Sequence, residues 1–255
     1  MLLRAESVSH YFGGLCAVSD FNLALEAGEL VGVIGPNGAG KTTVFNLITG
    51  VYRATRGRLA LDGHELVGLP AVEITRLGIA RTFQNIRLFR DLTVLDNVRA
   101  AYYSQTGYTP IEALLHAGRY GAEERRIRVD AEHLLRRFRL EGEAGELARN
   151  LPYGQQRRLE IARALATRPR LLLLDEPAAG MNPNEIAVLI ELIRWVRREF
   201  SLTIILIEHQ MRLVMGICER LVVLDFGATI AAGTPEEIQR HPRVLEAYLG
   251  EGVDL

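Results

Sequence analysis

The stretch Gly35-Pro36-Asn37-Gly38-Ala39-Gly40-Lys41-Thr42-Thr43 is preceded by the apolar run Leu30-Val31-Gly32-Val33-Ile34 and followed by Val44-Phe45-Asn46-Leu47-Ile48. It satisfies G-x-x-x-x-G-K-[ST] in full, in the context of strand, glycine loop and helix start that the pattern requires. The residue types explain the chemistry. The glycines permit positive φ and let the backbone approach a polyphosphate, so that successive N–H groups and the positive end of the following helix point at its oxygens. Lys41 supplies a mobile positive charge for the β- and γ-phosphates, the Thr42 hydroxyl suits Mg²⁺, and Thr43 extends the helix N-terminus. A plain glycine turn between a strand and a helix has no need of Lys-Thr at that offset.

Working outward, 255 residues make one large domain or a domain with a subdomain, and 48% apolar with 24% charged residues is the balance of a globular protein with a sizeable core. The net charge of −1 gives no argument for nucleic acid or an anionic membrane as partner. Cys16 and Cys218 are the only cysteines, without C-x-x-C spacing, which reads as two free thiols in a reduced compartment. No signal peptide is expected at Met1 to Glu6, and no apolar run approaches the length of a membrane span.

Taken in order, residues 1 to 30 read as short β segments: Leu2 to Val8, Ala17-Val18 and Phe21 to Leu25, broken at Gly13-Gly14 and Ala27-Gly28. Tyr11 and Phe12 precede that glycine pair and fit either core packing or stacking on a nucleotide base. The helix after the phosphate loop ends at Gly50, a strand from Gly57 meets an Asp62-Gly63 turn, Pro70 to Leu77 is helical, and Ile79 to Phe83 forms a strand that ends on Gln84. From Asn85 to Leu165 the spacing turns helical at Leu92 to Ala101 and Ala122 to Leu140, with Ser104 to Pro110 as a loop. Arg119, Arg125, Arg126, Arg128, Arg136, Arg137 and Arg139 make this stretch basic, relieved by Glu123, Glu124, Asp130 and Glu132, which fits a solvated helix face or a surface facing a partner or lipid headgroups. Beyond it, Leu171 to Leu174 has the continuous apolarity of a parallel strand buried on both faces, Asn182-Pro183-Asn184-Glu185 caps a helix, and Thr203 to Ile207 is the next strand. Leu221 to Leu224 and Ala228 to Ala231 complete the strands, and a Thr234-Pro235-Glu236-Glu237 capping box and Pro242 open the last helices. Strands alternating with helices imply an α/β fold with a parallel sheet that binds phosphate at the carboxyl ends of its strands.

A phosphate loop needs an acidic partner at a second strand end. Asp175 follows the four leucines, where a carboxylate holds Mg²⁺ through oxygen, and the adjacent Glu176 points elsewhere, suited to orient a water for attack on the γ-phosphate. Gln84 and His209 each end a β run, which places both on the nucleotide edge: Gln84 for the metal or the attacking water, His209 for the γ-phosphate.

The order of glycine loop, Gln84, Leu151-Pro152-Tyr153-Gly154-Gln155-Gln156, the leucine run with Asp175-Glu176, Ala178-Ala179-Gly180-Met181-Asn182 and His209 resembles the nucleotide-binding subunit of ATP-binding-cassette transporters over essentially the whole chain. The segments Tyr153 to Arg163, Glu176 to Gly180 and Ala247-Tyr248-Leu249-Gly250 look most like the branched-chain amino-acid importer ATPases; urea, amide and lipopolysaccharide ATPases are similar. The resemblance implies a P-loop NTPase cassette: a mainly parallel core with an antiparallel β subdomain (1–84 and 166–255) and a helical subdomain with the signature (85–165). It implies ATP and Mg²⁺ as cofactors, bound by Phe12 on adenine, by the phosphate loop from Gly35 and Pro36 through Asn37, Gly38, Ala39, Gly40, Lys41 and Thr42 to Thr43, and by Gln84 and Asp175. Tyr153, Gly154 and Gln155 of one subunit would contact ATP held by the other in a head-to-tail dimer. Catalysis falls to Glu176, His209, Lys41 and Gln84, and the metal to Thr42, Gln84 and Asp175. The implied partners are two transmembrane permease subunits, a second cassette and, indirectly, a periplasmic solute-binding protein, at the cytoplasmic face of a bacterial inner membrane. Pro152 replaces the family's usual Ser and Asn182 its usual Asp, so a hydroxyl and a charge are missing. A soluble cassette ATPase acting on a protein assembly or on DNA is the rival reading; the DNA-organising relatives insert long coiled coils, and no sustained heptads lie between Lys41 and Asp175.

Overall fold

A computed structural model describes residues 1–249; Gly250, the last residue of the tail resemblance, lies outside them. The chain divides into two compact units, Met1–Gln84 with Arg170–Leu255, and Asn85–Pro169.

The first part of the larger unit runs β1 (Leu3–Phe12), β2 (Leu15–Leu25), β3 (Leu30–Ile34), α1 (Lys41–Ile48), β4 (Arg56–Leu61), β5 (His64–Glu65), α2 (Ala71–Arg76) and β6 (Ile79–Arg81). The smaller unit holds α3 (Val94–Tyr102), α4 (Pro110–Leu114), α5 (Tyr120–Arg137) and α6 (Tyr153–Ala166). The larger unit resumes with β7 (Leu171–Asp175), α7 (Pro183–Glu199), β8 (Thr203–Ile207), α8 (Met211–Ile217), β9 (Arg220–Asp225), β10 (Ala228–Gly233), α9 (Pro235–Gln239) and α10 (Pro242–Leu249).

All ten strands join one sheet in the order β5-β4-β1-β2-β10-β9-β3-β8-β7-β6. Its β9-β3-β8-β7-β6 half is parallel, and β5-β4-β1-β2 is antiparallel. The parallel strands β3, β7 and β8 are buried at every position, which is why their sequences are apolar without alternation. Apolar side chains from both halves, among them Leu3, Leu25, Val33, Phe45, Leu173 and Ile205, form one core.

The amino-terminal strands are longer than the short segments their pattern suggests. Leu15 pairs with Phe12 across the two glycines, and the polar interruptions sit in bulges, where Ser7 (φ 48°) and Asp20 (φ 48°) leave the ladder and the Ser7 N–H donates to Asn22 Oδ1 at 2.9 Å. β6 is shorter than expected: Thr82 N–H still donates to Leu173 O, but the chain then leaves the sheet, so Gln84 stands three residues beyond Arg81. Asn182 keeps the cap despite the lost charge, its Oδ1 accepting from the N–H groups of Asn184 and Glu185 at 3.0 and 3.1 Å.

In the smaller unit, α5 buries Ile127, Ala131, Leu134 and Leu135 and turns its arginines outward. Arg128 pairs with Glu132 at 3.0 Å, and Arg119 lies 3.7 Å from Glu112. The loop expected over Ser104 to Pro110 gives way at its end to α4, capped by a Thr109 and Glu112 box.

Candidate functional site

Four strand ends of the parallel half converge. The loop 35–40 leaves β3, the Asp175-Glu176 pair closes β7, Glu208-His209 follows β8, and Gln84 follows β6. The sheet order places β3, β8, β7 and β6 side by side, so their carboxyl ends lie along one edge.

The loop's shape depends on glycine at two points. A Cβ on Gly35 (φ 147°) would stand 2.0 Å from Leu224 O, and one on Gly40 (φ 99°) would stand 2.6 Å from Ala17 O. α1 begins without a side-chain cap, leaving its amino end to a ligand. A cavity of about 410 Å³ opens over this end, lined by Asn37 to Thr43, by Cys16 and Ala17 of β2, and by Glu176. Lys41 is buried beside it, and its Nζ donates to Gly35 O at 2.6 Å and Pro36 O at 2.8 Å, which aims the ammonium along the loop.

Asp175 is held from the side. Its Oδ2 accepts from Arg81 Nη2 at 2.6 Å, with both side chains 7% exposed, and Arg81 also donates to Asn46 Oδ1 at 2.7 Å. The guanidinium lies over the rings of Phe45 and Phe83. Arg81 carries no motif, and nothing in the sequence marks it as the partner of a carboxylate 94 positions away.

Glu176 has φ 42°, a left-handed backbone uncommon for this residue, and its side chain is 15% exposed. Its Oε2 accepts from Gln84 Nε2 at 2.6 Å and lies 3.7 Å from His209 Nδ1. The structure thus brings Gln84, Glu176 and His209 together, with Glu176 on the wall of the cavity over the glycine loop.

Phe12 stands apart from the lining of that cavity. It is 45% exposed and packs edge-on against His10 at 4.6 Å and Tyr52 at 5.1 Å between ring centres. Tyr11 is also exposed.

In the smaller unit Pro152 is the cap of α6, with no side-chain hydrogen bond. The Gln155 N–H donates to Pro152 O at 2.9 Å. Arg157 is buried and clamps the first turns, donating to Glu160 at 2.7 Å and to the Tyr153 hydroxyl at 3.3 Å.

Residues 18–179 match the family model described as ABC transporter, and residues 228–254 that described as branched-chain amino acid ATP-binding cassette transporter. The chain is 47% identical over 250 residues to the high-affinity branched-chain amino acid transport ATP-binding protein BraF of Pseudomonas aeruginosa, covering 98% of each. Its identity to the LivG protein of Escherichia coli, which carries the same description, is also 47% over 98% of each chain. The crystal structure of the ADP conformation of an ATP-binding cassette of an ABC transporter superposes with a TM-score of 0.84 at 30% identity, covering 98% of both chains. The family model over residues 18–179 and the 47% identity over 98% of the chain make it a member of the ABC transporter family, an ATP-hydrolysing cassette.

Proposed function

We propose that this cassette energises import of branched-chain amino acids through separate permease subunits at the cytoplasmic face of a bacterial inner membrane. The observation that carries the chemistry is the Glu176 carboxylate on the wall of the phosphate cavity, 2.6 Å from the Gln84 amide and 3.7 Å from His209. The transported solute follows from the descriptions of BraF and LivG.

In this reading the phosphate-loop N–H groups and Lys41 hold the β- and γ-phosphates, Phe12 stacks on adenine, and Glu176 accepts a proton from the attacking water. Gln84 and His209 orient that carboxylate and the γ-phosphate. The Thr42 hydroxyl, the Asp175 carboxylate and the Gln84 amide oxygen are the hard oxygen donors that suit Mg²⁺ beside nucleotide phosphates. The ion supplies charge neutralisation at the phosphates when bound. The N–H of Gly154, with Tyr153 and Gln155 on the same first turn of α6, meets the nucleotide of a second cassette, and closure of the pair moves the permeases. No helix among the described residues is long and apolar enough to cross a membrane. Two permease subunits, a second cassette and, indirectly, a periplasmic binding protein complete the importer, and nucleic acid has no part in it.

An affinity pull-down from gently solubilised native membranes tests the assembly. Recovery of two multi-spanning proteins with a cassette supports it, and recovery of soluble proteins or DNA alone contradicts it.

Two further outcomes follow. Pro152→Ser restores a hydroxyl at the cap of α6, and a hydrogen bond to a charged phosphate contributes about 1.5 to 3 kcal/mol. ATP-driven dimerisation of a hydrolysis-blocked chain should tighten by about tenfold or more; an unchanged dimer constant in sedimentation equilibrium contradicts the role of the α6 terminus. The two thiols should also separate. Cys16 lines the cavity, whereas burial pushes the Cys218 thiol up to about 12. Iodoacetamide at pH 8 should modify Cys16 first, more slowly with ATP present, and reach Cys218 only on unfolding; mass spectrometry of timed digests reads the order.

A further inference from the structure

Glu208 separates β8 from His209 and is fully buried, with 0% exposure. Its two oxygens serve two different loops. Oε1 accepts from the Ala178 N–H at 2.7 Å, two residues after Glu176, while Oε2 accepts from the N–H groups of His209 and Gln210 at 3.0 and 3.1 Å. No Lys or Arg among the described residues pairs with it, and the His209 ring nitrogen is 4.0 Å away. Burial raises its pKa, and the three backbone donors oppose that shift. A carboxyl in such a place is costly to desolvate, and packing alone gives no reason for it.

What it joins gives the reason. The left-handed backbone of Glu176 has to be held by its surroundings, and the hold comes from the Glu176 N–H to Ile207 O at 2.9 Å and, two residues on, from Glu208. We propose that Glu208 is a positioning residue whose carboxylate ties the loop carrying Glu176 to the loop carrying His209, so that both meet the γ-phosphate as one rigid pair. The inference rests on the proposed role of Glu176. Glu208 is buried and is not among the residues lining the cavity, so its loss should act on turnover and not on nucleotide affinity.

The test is steady-state ATP hydrolysis and equilibrium ATP binding by the full chain in its detergent-solubilised complex. Glu208→Gln keeps the shape but turns an amide N–H₂ toward one of the two loops, breaking one tie. It should lower kcat about tenfold or more and leave KM and the ATP Kd within about twofold. Unchanged kcat, or a Kd that weakens in step with kcat, overturns the proposal. If Glu208→Gln does not fold, Glu208→Asp serves: it keeps the charge on a side chain one methylene too short to span both loops. It should show the same split with a smaller loss, and wild-type kcat in that variant overturns the proposal. Glu176→Gln is measured in parallel. Turnover retained there removes the role of Glu176 and this inference with it, whereas an inactive Glu176→Gln beside a fully active Glu208→Gln removes this inference alone.

Discussion

Glu176→Gln is expected to lower kcat for ATP by about 10²- to 10⁴-fold, the range that a positioned general base supplies, while ATP binding survives. The substitution preserves volume and leaves an oxygen able to accept from Gln84 Nε2, so the contact now at 2.6 Å has a replacement and the loop has no cause to move. What disappears is the negative charge and the basic oxygen 3.7 Å from His209. The cavity retains Lys41, Thr42 and the loop backbone proposed to hold the phosphates. Turnover and affinity should therefore part: phosphate release falls close to background, and titration with a fluorescent ATP analogue gives a Kd near that of the parent chain. Parent-like turnover would take the general-base role away from Glu176.

Lys41→Ala should remove affinity and turnover together. Lys41 is 7% exposed and its ammonium is tethered by Gly35 O and Pro36 O at 2.6 and 2.8 Å, so it sits against the loop backbone rather than in solvent. Its interaction with phosphate is a charge-assisted hydrogen bond, worth about 1.5 to 3 kcal/mol in the ground state. ATP should then bind about 10- to 100-fold more weakly. The loss in kcat/KM is larger, because charge on the γ-phosphoryl oxygens is redistributed during transfer and Lys41 is the side-chain cation of the loop. Lys41→Arg should rescue little, since a planar guanidinium does not fit between two carbonyls placed for a compact ammonium. Isothermal titration with ATP and phosphate release on the same samples measure both effects; full affinity in Lys41→Ala would mean that the loop holds phosphate by its backbone alone.

Features fixed by local chemistry were legible in the sequence. The phosphate loop, the buried leucine strand and the helix starts at Asn182 and Thr234 each rest on residues within one or two turns of one another, and the structure has them. Gln84 and His209 could be placed at the nucleotide edge because each follows an apolar run, although the strand before Gln84 stops earlier than that run. Features that depend on distant pairing were not legible. Arg81 lies inside the expected Ile79 to Phe83 strand with no mark of its role, and only the fold brings Asp175 and Asn46 to it. Glu208 carries no sequence signal of its own, and only the fold brings it to the Ala178 N–H. The helix α4 was missed despite Thr109-Pro110-Ile111-Glu112, the same kind of capping box that correctly announced α9, because five residues carry too little periodicity to stand out from a loop. The short α8, with Leu213, Val214 and Ile217 buried, is too short for its periodicity to stand out between two strands. The break at Gly13-Gly14 is legible, but not that Phe12 and Leu15 pair across it or that the flanking strands run through their polar residues by bulging.

The most direct measurement is uptake of radiolabelled leucine, isoleucine and valine by cells in which Glu176→Gln replaces the parent chain, with an unrelated solute as control. The account predicts that uptake of the three branched-chain amino acids collapses while the control solute enters normally and the altered chain remains membrane-associated. Undiminished uptake of all three, with the variant shown to be inactive as an ATPase, would contradict it.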